Sequence, residues 1–241
     1  DYLHRRYHTV SFNDEIWMYD KSTGLYVKDS VIIKTEIHRA CQQIGFQRET
    51  WEVREVFTML NGTNGKIKYP FNPCKNTLPV NNGVLQFDFK NRTKILLPHS
   101  PEHMITVKLP VDYNEKASGE PAKKLFNNWS GDENENILLQ VLAQACAQYL
   151  LDNVYKKSYM CIGEFNSGKS TYLNLLKRFF GDENVSNVSL HRVVSDRFAS
   201  GEMEGKFLNA YDDLEDLEIK TAGMFKNYTG ATRHQIERKG V

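Results

Sequence analysis

This sequence predicts an α/β fold: a parallel-sheet core entered through a glycine-rich loop, preceded by a mixed α+β region and a helical one. Three observations carry that expectation. Ser158–Ile162 is a short apolar run, followed at once by Gly163-Glu164-Phe165-Asn166-Ser167-Gly168-Lys169-Ser170 and then by an amphipathic helical pattern. A second apolar run, Lys206 to Ala210, leads to the neighbouring carboxylates Asp212 and Asp213. Upstream, strand-like and helix-like periodicities alternate as far as about Glu120, where a purely helical stretch begins.

The elements follow in chain order. Trp17–Asp20 and Gly24–Val27 read as a hairpin turning through Lys21-Ser22-Thr23-Gly24. Between Ile32 and Gly45, the residues Ile33, Ile37, Ala40, Cys41 and Ile44 recur at helical spacing. Val80 to Leu97 returns to strand chemistry, with Val84–Phe89 alternating and Asn91–Thr93 as the turn. His99 to Tyr113 is predicted to run extended over a surface, because Pro98, Pro101 and Pro110 bias their neighbours away from helix. Pro121 suits the first turn of a helix and Gly131 its close. A longer helix spans Asn134 to Asp152, with Ile137, Leu138, Val141, Leu142, Ala145, Cys146, Tyr149 and Leu150 on one face. Lys169 to Phe180 forms the next helix and stops at Gly181. Thr221 to Tyr228 predicts a short helix ending at Gly230, and Lys239-Gly240 a hairpin tip. The expected units are thus 1–120, 121–154 and 155–241.

Composition excludes several classes. Of 241 residues, 40% are hydrophobic and 25% charged, the balance of a folded globular chain and not of a disordered one. The net charge of +1 means that any nucleic-acid contact must come from a local basic patch. Cys41, Cys74, Cys146 and Cys161 make no CxxC pair and no zinc spacing, so they read as reduced thiols, with Cys146 and Cys161 expected to be buried. No apolar stretch reaches the roughly 18 residues that span a bilayer. A cytoplasmic protein without a membrane partner is expected. The chain starts at Asp1 instead of Met, and is expected to be a piece of a longer one.

The glycine-rich loop carries the chemistry. A triphosphate is polyanionic, and a compact site for it needs many donors without bulky side chains. Gly163 and Gly168 allow successive backbone N–H groups to point inward, and the helix that starts at Lys169 adds the positive end of its dipole. The expected nucleotide-binding residues are Gly163, Glu164, Phe165, Asn166, Ser167, Gly168, Lys169, Ser170 and Thr171. Lys169 would reach the β and γ phosphates, and Ser170, in preference to Thr171, would offer its hydroxyl to Mg²⁺. Asp212 and Asp213 would stand at the carboxyl edge of the sheet beside the loop. One would coordinate Mg²⁺ through water and the other would polarise the attacking water; the spacing does not assign which. Lys169, Asp212 and Asp213 are the expected catalytic set, and ATP with Mg²⁺ the cofactors. A kinase or GTPase-like switch is disfavoured, because no guanine-specifying N-K-x-D is present and a long region, about 120 residues or more, precedes the first strand of the core. Beyond the acidic pair, Arg233, His234, Arg238 and Lys239 read on residues alone as a charged surface strand.

Taken together, these motifs resemble the superfamily 3 helicases, in the form found in primase-helicases of viruses, phages and plasmids. The loop, then Glu204-Gly205-Lys206-Phe207-Leu208-Asn209 and the aspartate pair, then Phe225-Lys226-Asn227-Tyr228-Thr229-Gly230 carry one half of the likeness. Leu78-Pro79-Val80-Asn81-Asn82-Gly83-Val84-Leu85, Leu97-Pro98-His99-Ser100-Pro101 and Leu109-Pro110-Val111-Asp112-Tyr113 carry the other, being similar to that group's helicase-associated N-terminal domain. The resemblance implies an AAA+-like P-loop NTPase core, a homo-hexameric ring and an ATP-dependent DNA helicase acting in replication. It also implies single-stranded or forked DNA as a partner, and a fused or associated primase or polymerase domain. It shifts Arg233, Arg238 and Lys239 from surface charge to DNA contacts on a pore hairpin. The family's sensor asparagine and arginine finger find no match before Val241, so a chain ending there is expected to bind nucleotide with weak hydrolysis. The alternative is a non-catalytic DNA-binding or ring-assembly module with a structural or weakly active nucleotide site.

Overall fold

Two strands, β2 (Glu15–Asp20) and β3 (Leu25–Val27), form the expected antiparallel hairpin, and β1 (Val10–Phe12) adds to its other edge to make a three-stranded sheet. The computed structural model describes residues 7–12, 15–28, 30–43, 45, 58–59, 71–72, 75–131, 135–151, 157–196 and 198–212. The turn is held by the Asp20 carboxylate, which accepts from Ser22 N at 2.8 Å, Ser22 Oγ at 2.7 Å and Thr23 Oγ1 at 2.9 Å. Gly24 closes it at φ +76°, and a Cβ there would stand 2.4 Å from the His99 ring, so both backbone angle and space require glycine. Helix α1 (Ser30–Gln43) packs Ile33 and Ile37 against Ile16 and Met18 of this sheet and buries Ala40 as well, as its periodicity predicts. Ile44 lies outside the described residues.

The second sheet is antiparallel as well, in the order β4 (Thr77–Val80), β5 (Gly83–Asp88), β6 (Thr93–Leu97). Its registers pair Val80 with Gly83, and Asp88 with Thr93. Where the sequence predicts extended chain from His99, Pro101–His103 instead makes a 3₁₀ turn, capped by the Ser100 side chain and closed by Met104 at φ +52°; beyond it Ile105, Val107 and Leu109 are buried at every second position. This strap stitches the sheets together. Ile105 O accepts from Tyr26 N at 2.7 Å, Leu109 N donates to Pro79 O at 2.9 Å, and Val111 O accepts from Asn81 N at 2.9 Å.

Helices α2 (Glu120–Ser130) and α3 (Glu135–Leu150) follow; Gly131 closes α2 at φ +75° with its N–H on Asn127 O at 2.8 Å. Helix α4 (Lys169–Phe180) ends at Gly181 as predicted. A 3₁₀ turn (Asp182–Asn184) leads into β7 (Val185–Ser186), and the short helices α5 (Leu190–Ser195) and α6 (Ala199–Met203) precede β8 (Leu208–Asn209). One core gathers Val80, Leu85, Leu109, Phe126, Cys146, Tyr149, Leu176, Phe180 and Phe207, so sheet, strap and helices share a single apolar interior. Asn184 is a buried polar residue beside it. Its Nδ2 donates to Phe180 O at 2.7 Å and to Lys108 O at 2.8 Å, tying the end of α4 to the strap.

Four further expectations need correcting. Ser158–Ile162 is not a buried strand: it has no regular secondary structure, and Met160 and Ile162 are 59% and 86% exposed. An apolar run states that a segment wants cover, but not which strand supplies it. Cys161 is correspondingly exposed, whereas Cys146 is buried. Ile137 is also exposed, because it sits in the first turn of α3, ahead of the stretch that meets α4. The parallel sheet is a single pair, Val185 with Leu208 and Ser186 with Asn209, while the other two sheets are antiparallel. The described fold is a mixed α/β arrangement with three small sheets. Among the described residues, no helix is long and apolar enough to cross a membrane.

Candidate functional site

The loop Gly163–Ser170 is exposed apart from the half-buried Gly168 and Lys169. Asn166 takes φ +61° and Gly168 φ +90°, and these two left-handed residues turn the chain into α4. A Cβ at Gly163 would meet Ser167 Oγ at 2.8 Å, so the two ends of the loop close on each other. Lys169 bends back over the loop. Its Nζ donates to Glu164 O at 2.7 Å, Gly163 O at 2.9 Å and Ser167 Oγ at 3.2 Å. The ammonium therefore sits inside the curve of the loop and not on the outer surface. No side chain caps α4, and Lys169, Ser170 and Thr171 occupy its first turn, where amides lack helical partners. Such an end attracts an anion.

Beneath the loop lies Trp129, the last aromatic residue of α2. A Cβ placed on Gly168 would be 3.4 Å from Trp129 Nε1, so the ring rests against the point where loop becomes helix. Trp129 also meets Tyr172 edge-on, with centroids 6.3 Å apart, and Tyr172 donates its hydroxyl to Leu138 O at 2.8 Å. Loop, α2 and α3 are thereby joined through two aromatic side chains. Trp129 was not singled out from the sequence. Its spacing of three from Phe126, on the packed face of α2, is the signal that places it in this wall.

The acidic strand is built differently from its sequence expectation. Asn209, which interrupts the apolar run, clasps the chain after β7: Oδ1 accepts from Val188 N at 2.8 Å and Ser186 Oγ at 2.9 Å, and Nδ2 donates to Val188 O at 2.8 Å. Phe207 and Ala210 are buried on the inner side, with Ala210 N donating to Ser186 O at 2.8 Å. Asp212 then emerges exposed at the end of the strand.

Electrostatics link Asp212 to the loop. Burial is the largest influence on the Cys161 thiol and pushes it up, even though the residue as a whole is exposed; Lys169 pulls it down and Asp212 pushes it up. Both charges are therefore within electrostatic reach of one sulfur, just ahead of Gly163. Of the predicted catalytic and metal set, Lys169, Ser170 and Asp212 stand in this region. Asp213 and the predicted DNA contacts Arg233, Arg238 and Lys239 lie outside the described residues, as do the Thr221–Gly230 helix and the Lys239-Gly240 tip. Among the described residues, no cluster of three or more His, Cys, Asp or Glu side chains is arranged to hold a metal.

A family model described as "D5 N terminal like" matches residues 1–133, more than half of the chain. The chain belongs to this family. D5 N-terminal-like domains accompany phage and viral primase-helicases. The match covers β1 to α2, including the strap and Trp129. A second model, a family of unknown function (DUF5906), matches residues 161–241 and begins at Cys161, immediately ahead of the loop. No curated protein matches the chain.

Proposed function

We propose that this D5 N-terminal-like protein binds ATP with Mg²⁺ at Gly163–Thr171 and serves as the motor portion of a superfamily 3 replicative helicase with an AAA+-like P-loop core. The observation that carries the reading is the position of Lys169. Its ammonium lies within the loop on the main-chain carbonyls of Gly163 and Glu164, at the uncapped start of a twelve-residue helix. A lysine held there can exchange carbonyl oxygens for phosphate oxygens with a small movement, and the helix dipole favours the same charge.

The residues fit the expected cofactors. Gly163 and Gly168 keep the loop clear of side chains at its two closest approaches, to Ser167 and Trp129. Lys169 would hold the β and γ phosphates, and Ser170 and Asp212 would hold Mg²⁺, with Asp213 completing the acidic pair. Magnesium supplies charge neutralisation at the transferring phosphoryl group. Asp212 and Asp213 would orient a water for attack, and the Trp129–Tyr172 wall would keep the loop's base dry. DNA is the proposed partner, met through Arg233, Arg238 and Lys239, in a homo-hexameric ring working with a primase or polymerase domain in the cytoplasm.

Calorimetric titration of ATP with Mg²⁺ into the wild-type chain and Lys169→Ala tests the reading. Binding by the wild type and at least a tenfold loss in the variant, about 1.4 kcal/mol, supports it, provided both proteins melt at the same temperature. Equal affinity in the two proteins, or none in the wild type, overturns it.

A further inference from the structure

The β5–β6 hairpin leaves the core as it lengthens. Leu85 is buried and Phe87 half-buried, while Phe89, two residues further, is 50% exposed. Its ring stacks on Phe87 with planes 10° apart and centroids 5.8 Å apart. The stack holds Phe89 in a fixed orientation and leaves its far face open. Three cations share the hairpin with it: Lys90 and Arg92 in the turn, and Lys94 directly across the strand pair from Phe87. The single carboxylate of the hairpin, Asp88, is engaged by the turn itself. It accepts from Lys90 N and Asn91 N at 3.0 Å each and from Asn91 Nδ2 at 2.7 Å. Those bonds hold the Asp88 carboxyl below the usual carboxylate range, and they fix the turn that presents the cations. Among the described residues, no carboxylate lies within ion-pair distance of Lys90, Arg92 or Lys94. Lys94 instead sits 5.8 Å over the Tyr113 ring.

We propose that the tip of this hairpin is a contact for single-stranded nucleic acid, with Phe89 as a stacking platform for a base and Lys90, Arg92 and Lys94 as phosphate contacts. An exposed phenylalanine has no polar group to satisfy in water and offers one open π-face, to which any base can stack. Three cations on the same hairpin supply charge to the phosphates of a strand whose bases are splayed out. A duplex would satisfy the cations but not the ring, because its bases are already stacked. The inference rests on the DNA-partner part of the reading above, and is independent of the nucleotide loop.

Fluorescence anisotropy with a labelled oligo-dT and the full chain tests it. Phe89→Ala weakens binding about five- to a hundredfold, the range for loss of a stacking aromatic. The triple variant Lys90→Ala, Arg92→Ala, Lys94→Ala lowers the slope of log affinity against log salt by about 2, from roughly 0.7 per phosphate contact on a single strand. Phe89→Trp retains binding, and its emission is quenched on the oligonucleotide. If both hairpin variants match the wild type while Arg233→Ala, Arg238→Ala, Lys239→Ala loses binding, the hairpin assignment is wrong and the DNA reading stands. If the wild type binds no oligo-dT, both fall. An equal preference for duplex that is insensitive to Phe89 also overturns the proposal, as does binding of an acidic peptide in place of oligo-dT.

Discussion

The side chain of Asn209 grips the main chain of Val188 from both ends, accepting from its N–H and donating to its carbonyl, each at 2.8 Å. The parallel pair β7–β8 has only two residues in each strand, and this clamp from within β8 ties down Val188, two residues beyond the end of β7. It holds the segment that ends in Asp212. Replacing Asn209 with Ala removes both bonds and the one from Ser186, and is expected to lower unfolding free energy by about 1–2 kcal/mol. Urea denaturation of the two proteins checks it; an unchanged midpoint would show that the clamp contributes nothing.

Lys169 and Asp212 act on Cys161 with opposite sign, which makes that thiol a reporter of their arrangement. A thiol reacts as thiolate, so its alkylation by iodoacetamide at fixed pH tracks its ionised fraction. Asp212→Asn removes a charge that raises the thiol and should speed alkylation. Lys169→Ala removes one that lowers it and should slow the reaction. Peptide mass spectrometry at Cys161 measures both rates. Changes of the same sign in the two variants would place at least one of these groups away from the sulfur.

Trp129 touches the hinge between loop and α4, while Trp17 lies in the first sheet against Phe71. Occupation of the loop should therefore change the emission of Trp129, and Trp129→Phe should abolish that change. Trp17→Phe should leave it intact. Nucleotide titrations followed by fluorescence decide this, and a signal that survives Trp129→Phe would uncouple α2 from the loop.

Alkaline stability carries a signature of the core. Burial pushes the Cys146 thiol up to about 12. The unfolded chain ionises that thiol near 8.5, so between that pH and about 12 the folded state holds a proton that the unfolded state has released. Stability contributed by this group is complete below the lower value and falls as pH rises through the window, by at most about 1.4 kcal/mol per pH unit. Cys146→Val should flatten the decline seen in denaturant midpoints from pH 9 upward. Tyr26, pushed up to about 12 by burial, contributes a decline of the same sign at higher pH and remains in the variant.

How much of this was legible in the chain differs from element to element. Helix α4 and its stop at Gly181, the Asp20–Gly24 turn and the α2 close at Gly131 follow from local rules, helical period and left-handed glycine, whereas the strap is extended only beyond the 3₁₀ turn Pro101–His103 that the prolines alone did not predict. The first three depend on residues within a few positions of each other, so a linear reading reaches them. The Gly163–Lys169 motif belongs to the same class, and Lys169 is found curled into its own loop.

What the tertiary structure alone decided are the relations across long separations. Asn209 looked like a flaw in an apolar strand, and proved to bind a main-chain segment 21 residues away. Trp129 had no role until it was found against Gly168, and Ser158–Ile162 had the composition of a buried strand but no described partner. Side-chain chemistry fixes what a residue can satisfy, whereas only the folded chain brings a complementary group within 3 Å of it. Asn184 shows the division well: the carbonyls of Phe180 and Lys108 that let it be buried come together only when strap and helix meet.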